Sequence, residues 1–554
     1  MTTNDRRSSE GILADYAEES YGASVRATNI TAAIAVAESV RSTLGPQGMD
    51  KMLVDKTYDI TGDVVITNDG ATVLDEMEVE NDAATLAIEL AQAQAENVGD
   101  GTTTAVLYVG QLLEEAGDLL ERGIHPSTIA GGYRTAALQA RSRLETLADE
   151  LELEDPIAAV TTAMDGKSGG TDKEPLARLV VDAVDRIVEA DGTLDTDNIK
   201  IISRTGKSVE DSQLVEGTIL EKERVHENMP RSVSDATVAL YDGEIRSRHE
   251  NEEFTVTDPD AYHSIVERER ESIKSRAAEF VDVGADVVFV RTFLDDYAQQ
   301  VLADHGILAV RQVDLSDLEL LSRATGAEIV GDLEALSASD LGYAGTVRQR
   351  ELGGREMVQV TDVEDAKSVT LILRASTEHV LEEFERTIED GMAVAELMKS
   401  DGRALPGAGA TEIELARDIR SAATGVSGRE QLAVEAFADA VETVPRTLAE
   451  NAGLDRIDTI AELYAAHSDG EIESGVLGVE GRVGNAVEAG IIEPFAVKQR
   501  ALDSAAEIAT LILRVDGQIR TEPLTQAEED ELVDRVEAGE DREKAKRQVL
   551  KQRD

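Results

Sequence analysis

The chain has 554 residues, more than a single hydrophobic core organises, so two or three domains are expected. Its formal net charge of −58 predicts a surface that repels nucleic acid and anionic membranes. The lack of cysteine excludes disulfides, thiol catalysis and cysteine-based metal sites. No apolar stretch is long enough to span a bilayer and no signal peptide is visible, so we expect a cytoplasmic protein.

Residues up to about 147 have a mostly helical pattern that is interrupted by three glycine-containing turns. The first turn, residues 43–48 (TLGPQG), follows a helical stretch. The second, residues 68–72 (NDGAT), follows a β-like run at residues 64–67. The third, residues 99–104 (GDGTTT), comes just before a helical apolar pattern that continues to Leu120.

The third turn has the composition of a phosphate site. The start of a helix offers unpaired N–H groups and the positive end of the helix dipole, and glycines let the backbone approach a ligand closely. Asp100 could carry Mg²⁺, which prefers one or two carboxylates together with phosphate oxygens. Taken singly, this turn could be a threonine N-cap, and Asp69-Gly70 could be a hairpin turn. Three such turns between residues 43 and 104 favour phosphate binding.

The middle of the chain alternates strands and helices. Strands are predicted at residues 286–290, 307–310 and 328–330, with helices at 294–303 and 315–324 between them. This alternation predicts a βαβαβ unit with a parallel sheet. Before it, Asp258 and Pro259 predict the start of a helix whose charged first turns are typical of an exposed projection.

After about Ser368 the pattern is helical again, and another glycine turn occurs at residues 407–409 (GAG). Turns typical of phosphate sites therefore flank the α/β segment on both sides. This arrangement indicates nested domains, with a nucleotide site built from both ends of the chain. An alanine at position 408 is compatible with such a turn only if its φ is negative.

Seven uninterrupted blocks resemble those of group II chaperonins, the family of the archaeal thermosome and the eukaryotic cytosolic chaperonin. The blocks begin at residues 43 (TLGPQGMDKML), 63 (DVVITNDGATVL), 98 (VGDGTTTAVL), 123 (GIHPSTIAGGYRTAA), 406 (PGAGATEIELA), 436 (AFADAVETVPRTLAENAGLDRID) and 490 (GIIEPFAVK). The resemblance extends from about Asn29 to about Gly517. Acidic residues are spread along the whole chain, and concentrated salt screens their repulsion, so we expect a halophilic archaeal source.

The resemblance implies a multi-domain chaperonin fold. It consists of a mainly α-helical equatorial ATP-binding domain, a small α/β intermediate domain and an α/β apical domain with a helical protrusion that serves as a lid. The expected boundaries are 1–150 and 405–524 for the equatorial domain, 151–221 and 370–404 for the intermediate domain, and 222–369 for the apical domain. The protrusion is expected near residues 242–272, and the charged tail at 525–554 is expected to be disordered.

The resemblance also assigns roles to individual residues. Asp69 is expected beside the γ-phosphate, Asp390 is expected to position the attacking water, and Asp100 is the expected Mg²⁺ ligand. The implied nucleotide-binding residues are Leu44, Gly45, Pro46, Gly99, Gly101, Thr102, Thr103, Thr104, Lys167, Ala408, Gly409 and Glu493. From the residues alone, Asp390 is better explained as a solvated helix carboxylate, and a surface lysine explains Lys167 equally well.

The implied function is that of an ATP-dependent protein-folding chaperone. Such a subunit forms a double ring with the same or paralogous subunits, and it encapsulates non-native client proteins using ATP and Mg²⁺, without nucleic acid or membrane partners. Two alternatives are a ring scaffold with weak ATPase activity and a phosphotransferase that reuses the phosphate turns. The presence of Asp69, Asp100 and Asp390 argues against the scaffold, and the lack of a recognisable acceptor pocket argues against the phosphotransferase.

The acidity of the chain predicts that its rings require salt. The Debye length is about 8 Å at physiological ionic strength and about 3 Å at 1 M, so neighbouring acidic faces repel each other in dilute buffer. We expect rings to dissociate, and ATPase activity to fall, when salt is lowered well below molar. Sedimentation velocity across a NaCl series measures this, with sucrose of equal osmolarity as the uncharged control. Rings that stay intact in dilute buffer would contradict the halophilic interpretation.

Overall fold

The computed structural model of the chain describes residues 17–54, 64–151, 153–165, 173–189, 192–246, 259–363, 366–521 and 535. The first part is mostly helical, with elements β1 (Ala17–Tyr21), α1 (Ala23–Arg41), β2 (Lys51–Val54), β3 (Val64–Thr67), α2 (Gly70–Asp75), α3 (Asp82–Val98), α4 (Thr102–Glu121) and α5 (Pro126–Leu151).

Most strands lie in the middle of the chain. The elements there are α6 (Pro156–Met164), α7 (Glu174–Ile187), β4 (Ile199–Thr205), β5 (Gln213–Leu220), β6 (Ser232–Tyr241), α8 (Pro259–Asp282), β7 (Val287–Val290), α9 (Asp296–Asp304), β8 (Leu308–Val310), α10 (Leu315–Thr325), β9 (Ile329–Val330), β10 (Gly342–Leu352), β11 (Arg355–Thr361) and β12 (Val369–Ala375).

The last part is again mostly helical. Its elements are α11 (Glu378–Ser400), β13 (Ala404–Pro406), α12 (Ala410–Ala423), α13 (Glu430–Val441), α14 (Thr443–Asn451), α15 (Arg456–Ser468), β14 (Ser474–Leu477), β15 (Arg482–Asn485), β16 (Ile492–Pro494), α16 (Phe495–Arg514) and β17 (Gly517–Thr521). No helix of the described ranges is long and apolar enough to cross a membrane.

The largest core joins the two ends of the chain. Helices α1, α3, α4 and α5 pack with α12, α13 and α16 around buried alanine, valine and leucine side chains. Tyr133 and Phe437 meet edge to face in this core, with ring centroids 5.7 Å apart. Strand β1 pairs with β17, which brings the two ends together a second time. The apolar faces of the first helices are therefore covered by residues more than 250 positions later in the chain.

A second core lies between α6, α7, α11 and the strand β12. Helix α6 of this core begins at a clear sequence signal. Asp155 caps the helix and accepts a hydrogen bond from Ala158 N at 3.1 Å, and Pro156 occupies the first turn. Helix α11 is also in contact with α3 of the first core. The second core thus lies directly beside the first, and α11 connects them.

The middle segment forms one nine-stranded mixed sheet with the order β4-β12-β5-β11-β10-β6-β7-β8, and β9 pairs with β6. Strands β6, β7, β8 and β9 are parallel, as the alternating pattern predicts. The third predicted strand pairs with β6 and not with β8, so the order within the unit is β8-β7-β6-β9. Helix α8 is described from Pro259 onward, whereas residues 247–258 of the predicted protrusion lie outside the described part.

A buried carboxylate ties α12 and α5 of the largest core to the neighbouring helix α15. Glu414 of α12 accepts hydrogen bonds from Arg143 Nη2 of α5 at 3.0 Å and from His467 Nδ1 of α15 at 2.8 Å. His467 Nε2 in turn lies 2.7 Å from the carbonyl oxygen of Ser474, where β14 begins. Burial alone raises the pKa of Glu414, but its bonds to His467, Arg143 and Arg417 outweigh burial and lower that pKa to about 2.

We therefore predict that Glu414 stabilises the fold in a pH-dependent way. Because its folded pKa lies below its usual value, the ionised carboxylate stabilises the fold above about pH 4.5, and this contribution is lost as the pH falls toward 2. Glu414→Gln should lower the free energy of unfolding at pH 7 by about 3 kcal/mol, as breaking a buried ion pair does. Thermal unfolding from pH 7 to pH 3 measures this.

Glu145→Gln is the matched control for this prediction, because Glu145 forms an exposed ion pair with Arg141 on α5. Its effect should stay below about 0.5 kcal/mol at every pH. A Glu414→Gln variant whose loss of stability does not shrink at acid pH would contradict the assignment.

Candidate nucleotide-binding site

A cavity of about 310 Å³ lies where the first helices of the chain meet the last ones. Its wall contains the predicted site residues Leu44, Gly45, Pro46, Asp69, Asp100, Gly101, Thr102, Thr103, Thr104, Ala408 and Glu493. Gly99, Gly409 and Asp390 lie outside this wall. Lys167 lies outside the described residues. The structure therefore brings most of the predicted residues to one place.

Two helix starts meet at one end of the cavity. Gly101, with φ +77°, precedes α4, and residues 102–104 form its first turn. Gly70 begins α2 so close to α4 that a Cβ atom on it would lie 2.2 Å from Thr103 Oγ1. The first N–H groups of a helix have no partner within that helix, and they form the positive end of its dipole. Two such starts side by side favour an anion such as a phosphate group.

The turn that carries Asp100 is held on both sides by close contacts. Gly99 ends α3 with φ +68°, and Gln94 Nε2 donates to the carbonyl oxygen of Asp100 at 3.0 Å. A Cβ atom on Gly101 would lie 2.8 Å from Val497 Cγ1. One carboxylate beside bound phosphates suits Mg²⁺. Within the described ranges no cluster of three or more candidate metal-ligand side chains exists.

Asp69 lines the cavity and also caps α2. Its Oδ2 accepts hydrogen bonds from Thr72 N and Thr72 Oγ1, both at 2.8 Å, and its backbone N–H donates to Thr67 Oγ1 at 3.0 Å. The hairpin alternative for Asp69-Gly70 is wrong, because the chain passes from β3 into α2 at this point. Thr67 Oγ1 donates to Glu383 Oε2 of α11 at 3.1 Å, so this turn also contacts the second core.

Asp390 lies on α11 close to the Asp100 turn. A Cβ atom on Gly99 would lie 2.3 Å from Ala393 Cβ and 3.3 Å from the carbonyl oxygen of Asp390. The Asp390 side chain is half-buried and does not form part of the cavity wall. Its role in positioning water stays a prediction.

Some cavity residues were not predicted from the sequence. Thr162, Ala163 and Asp165 extend the wall at the end of α6. Burial raises the pKa of Asp165, and the nearby charge of Lys173 partly lowers it. Asp165 precedes a glycine, as Asp69 and Asp100 do, and this shared Asp-Gly pattern is the signal that could have found it.

The other end of the cavity is less polar. Apolar side chains there are Val444, Leu448, Val476, Leu477, Val479 and Ile491. Ala408 has φ +56°, and its carbonyl oxygen accepts a hydrogen bond from Val476 N at 2.8 Å. The condition of a negative φ at Ala408 is therefore not met, and the turn between β13 and α12 holds this alanine in the left-handed region. Gly409, also left-handed at φ +77°, precedes α12 and packs on Pro445, which a Cβ atom would approach to 2.7 Å.

A buried network of charged residues lies behind this apolar end. Lys498 Nζ is 2.7 Å from Glu412 Oε1 and 2.9 Å from Glu493 Oε2, and Tyr108 donates its hydroxyl to Glu412 Oε1 at 3.2 Å. The pKa of Glu493 is raised to about 7, mainly by burial. The charge of Lys498 lowers this pKa, and the charge of Glu412 raises it further. Burial alone lowers the pKa of Lys498, but the two carboxylates raise it above its usual range.

Comparison with known proteins settles the family. The sequence profile of the TCP-1/cpn60 chaperonin family matches residues 36–523. The chain belongs to this family. The resemblance to group II chaperonins is therefore confirmed, and the match covers both the helical ends and the α/β segment between them.

The relatives of this family member include three thermosome subunits. It is 48% identical to thermosome subunit 1 of Haloferax volcanii over 515 residues, covering 92% of this chain and 91% of the relative. It is 48% identical to thermosome subunit alpha of Halobacterium salinarum over 92% of this chain and 90% of that protein. Thermosome subunit beta of Methanothermobacter thermautotrophicus is 46% identical over 94% of this chain and 96% of its own length. These relatives support a ring-forming, ATP-dependent protein-folding chaperone.

The left-handed backbone at Ala408 generates a prediction. An alanine in this conformation costs about 1–2 kcal/mol, which glycine would recover. This gain offsets the lost methyl burial of about 0.8 kcal/mol and the added freedom of the unfolded chain of about 0.5–1 kcal/mol. Ala408→Gly should therefore be close to neutral in thermal unfolding. Ala422→Gly, within α12, is the control and should lose about 1 kcal/mol. Equal losses in the two variants would contradict the strained backbone at Ala408.

Proposed function

We propose that this chain binds ATP with Mg²⁺ in the cavity and hydrolyses it, and that hydrolysis drives encapsulation of non-native proteins within a double ring in the cytoplasm. The observation that carries this proposal is the meeting of two glycine-led helix starts, α2 and α4, at Asp69 and Asp100. Phosphoryl transfer depends on oriented donors, a metal and a held nucleophile, and this cavity offers groups for the first two.

The phosphates would lie against the first turn of α4 and the turn at Leu44, Gly45 and Pro46. This second turn is fixed to α14, because Asn451 Nδ2 donates to the carbonyl oxygen of Leu44 at 2.8 Å. Asp100 would hold Mg²⁺, which neutralises charge on phosphate oxygens. Lys167, proposed as a further phosphate contact, belongs to a segment outside the described residues.

Asp390 would position the attacking water. Because Asp390 lies outside the cavity wall, we infer that α11 moves toward the cavity before hydrolysis. Ala393 of α11 contacts the Gly99 turn beside Asp100, so α11 would pivot about this contact. A helix that moves between two packed positions is a common way to couple a ligand to a distant domain.

The client cage would be closed by the protrusion near residues 242–272, and the apical and intermediate domains would follow the predicted boundaries. Same or paralogous subunits would complete the ring. The relatives do not favour a scaffold without ATPase activity or a phosphotransferase.

We predict different defects for the two carboxylates. Asp390→Ala should keep ATP binding and lower turnover about 10²–10⁴-fold, because a positioned catalytic group is lost. Asp100→Ala should weaken Mg²⁺-dependent ATP binding as well. Glu389→Ala, at the exposed neighbour of Asp390 on α11, is the matched control and should keep turnover. Nucleotide titration and phosphate release in molar salt measure both quantities, and normal turnover in Asp390→Ala would remove Asp390 from the mechanism.

A further inference from the structure

The buried network behind the cavity has no part in the phosphate chemistry proposed above. Lys498 is 4% exposed and Glu412 is fully buried, whereas Glu493 keeps 22% exposure and reaches the cavity wall. The three side chains come from different elements: Lys498 from α16, Glu412 from α12 and Glu493 from β16. The network therefore connects two helices of the largest core to the cavity wall, where Lys498 is almost fully covered and Glu493 is the more exposed of the two.

Stability alone does not explain this arrangement. Lys498 lies near the start of α16, where the helix dipole disfavours a cation. Buried ion pairs can often be replaced by apolar side chains with no loss of stability. In addition, Glu412 Oε2 is buried and has no hydrogen-bond partner among the residues that the structure describes. Buried charged groups that destabilise the fold are typical of functional sites, where they take part in binding or catalysis.

We propose that Lys498 and Glu412 are positioning residues that hold the Glu493 carboxylate as a hydrogen-bond acceptor for the nucleoside part of the ligand. The network would thereby make the cavity prefer a nucleoside triphosphate over a bare triphosphate chain. The donor on the ligand would be a hydroxyl or amino group. This inference rests on the proposed binding of ATP in the same cavity.

The geometry of the network predicts opposite effects for its two supporting residues. Glu493 faces the ammonium of Lys498 from α16, the carboxylate of Glu412 from α12 and the charge of Asp100 from the turn before α4, while Tyr108 of α4 contacts Glu412. Loss of Lys498 removes a cation that lowers the Glu493 pKa, whereas loss of the Glu412 charge removes a group that raises it. An ionised carboxylate accepts a hydrogen bond more strongly than a protonated carboxyl group does, so the two losses act in opposite directions on binding near pH 7.

The experiment compares ATP with inorganic tripolyphosphate, both with Mg²⁺, on assembled rings in molar salt. Lys498→Met should raise the KM for ATP roughly tenfold or more and change kcat less than about twofold, as expected for loss of a charged hydrogen bond made before the transition state. Inhibition by tripolyphosphate should be unchanged, because that probe has no nucleoside. Lys200→Met is the matched control, since Lys200 of β4, in the nine-stranded sheet, forms a largely buried ion pair with Asp317 of α10.

A pH series distinguishes positioning from a general loss of packing. Affinity for ATP relative to tripolyphosphate should rise with pH through about 7 in the unaltered protein, following ionisation of Glu493. The midpoint of this rise should move to higher pH in Lys498→Met and to lower pH in Glu412→Gln. If Lys498→Met does not assemble, Glu412→Gln still carries the test.

Shifts in the same direction, no shift in either assembled variant, or equal weakening of ATP and tripolyphosphate would overturn the inference. An unaltered protein that binds no ATP would instead overturn the proposed function. An unaltered protein that hydrolyses ATP, with variants that leave the KM and the pH profile in place, would overturn the role of Lys498 and Glu412 alone.

Discussion

The close approach of α2 and α4 at Gly70 and Thr103 is the constraint on which the site depends. Two helix starts placed side by side repel each other through the positive ends of their dipoles, and the Asp69 carboxylate that caps α2 offsets part of this repulsion. The helices keep this arrangement because the large core behind them fixes α4 against α1, α3 and α16. The free energy of folding therefore offsets the unfavourable approach of the N–H groups. A bound anion then meets donors that are already in position.

The turn at Asp100 is packed between two helices, α11 and α16. Gly99 has no room for a side chain beside Ala393 of α11, and Gly101 has almost none beside Val497 of α16. A turn held between two helices transmits displacement, because packed interfaces have few alternative arrangements. A shift of α11 would therefore displace the carboxylate of Asp100. In the same way, a ligand bound at Asp100 would favour one position of α11 over another.

The sequence was sufficient where the signal is local. The GDGTTT turn, the Asp69-Gly70 helix start and the parallel unit of the middle segment each depend on adjacent residues or on a short repeat. It was insufficient where a role depends on a distant partner. Lys498 meets Glu412 across 86 positions, and no local pattern predicts that contact. The left-handed backbone at Ala408 also accompanies a distant contact, since its carbonyl oxygen accepts a hydrogen bond from Val476 N of β14.

The sharing of one core between both chain ends has a consequence for how the protein is made. While a ribosome extends the chain, α1, α3, α4 and α5 emerge first, but the helices that cover their apolar faces come only near the end of synthesis. The nine-stranded sheet, by contrast, is complete once residue 375 has emerged. At translation rates of about 5–20 residues per second, the first helices wait for tens of seconds with an unfinished core. During its own synthesis, a protein of this architecture is therefore an exposed, aggregation-prone chain of the kind that a chaperone binds.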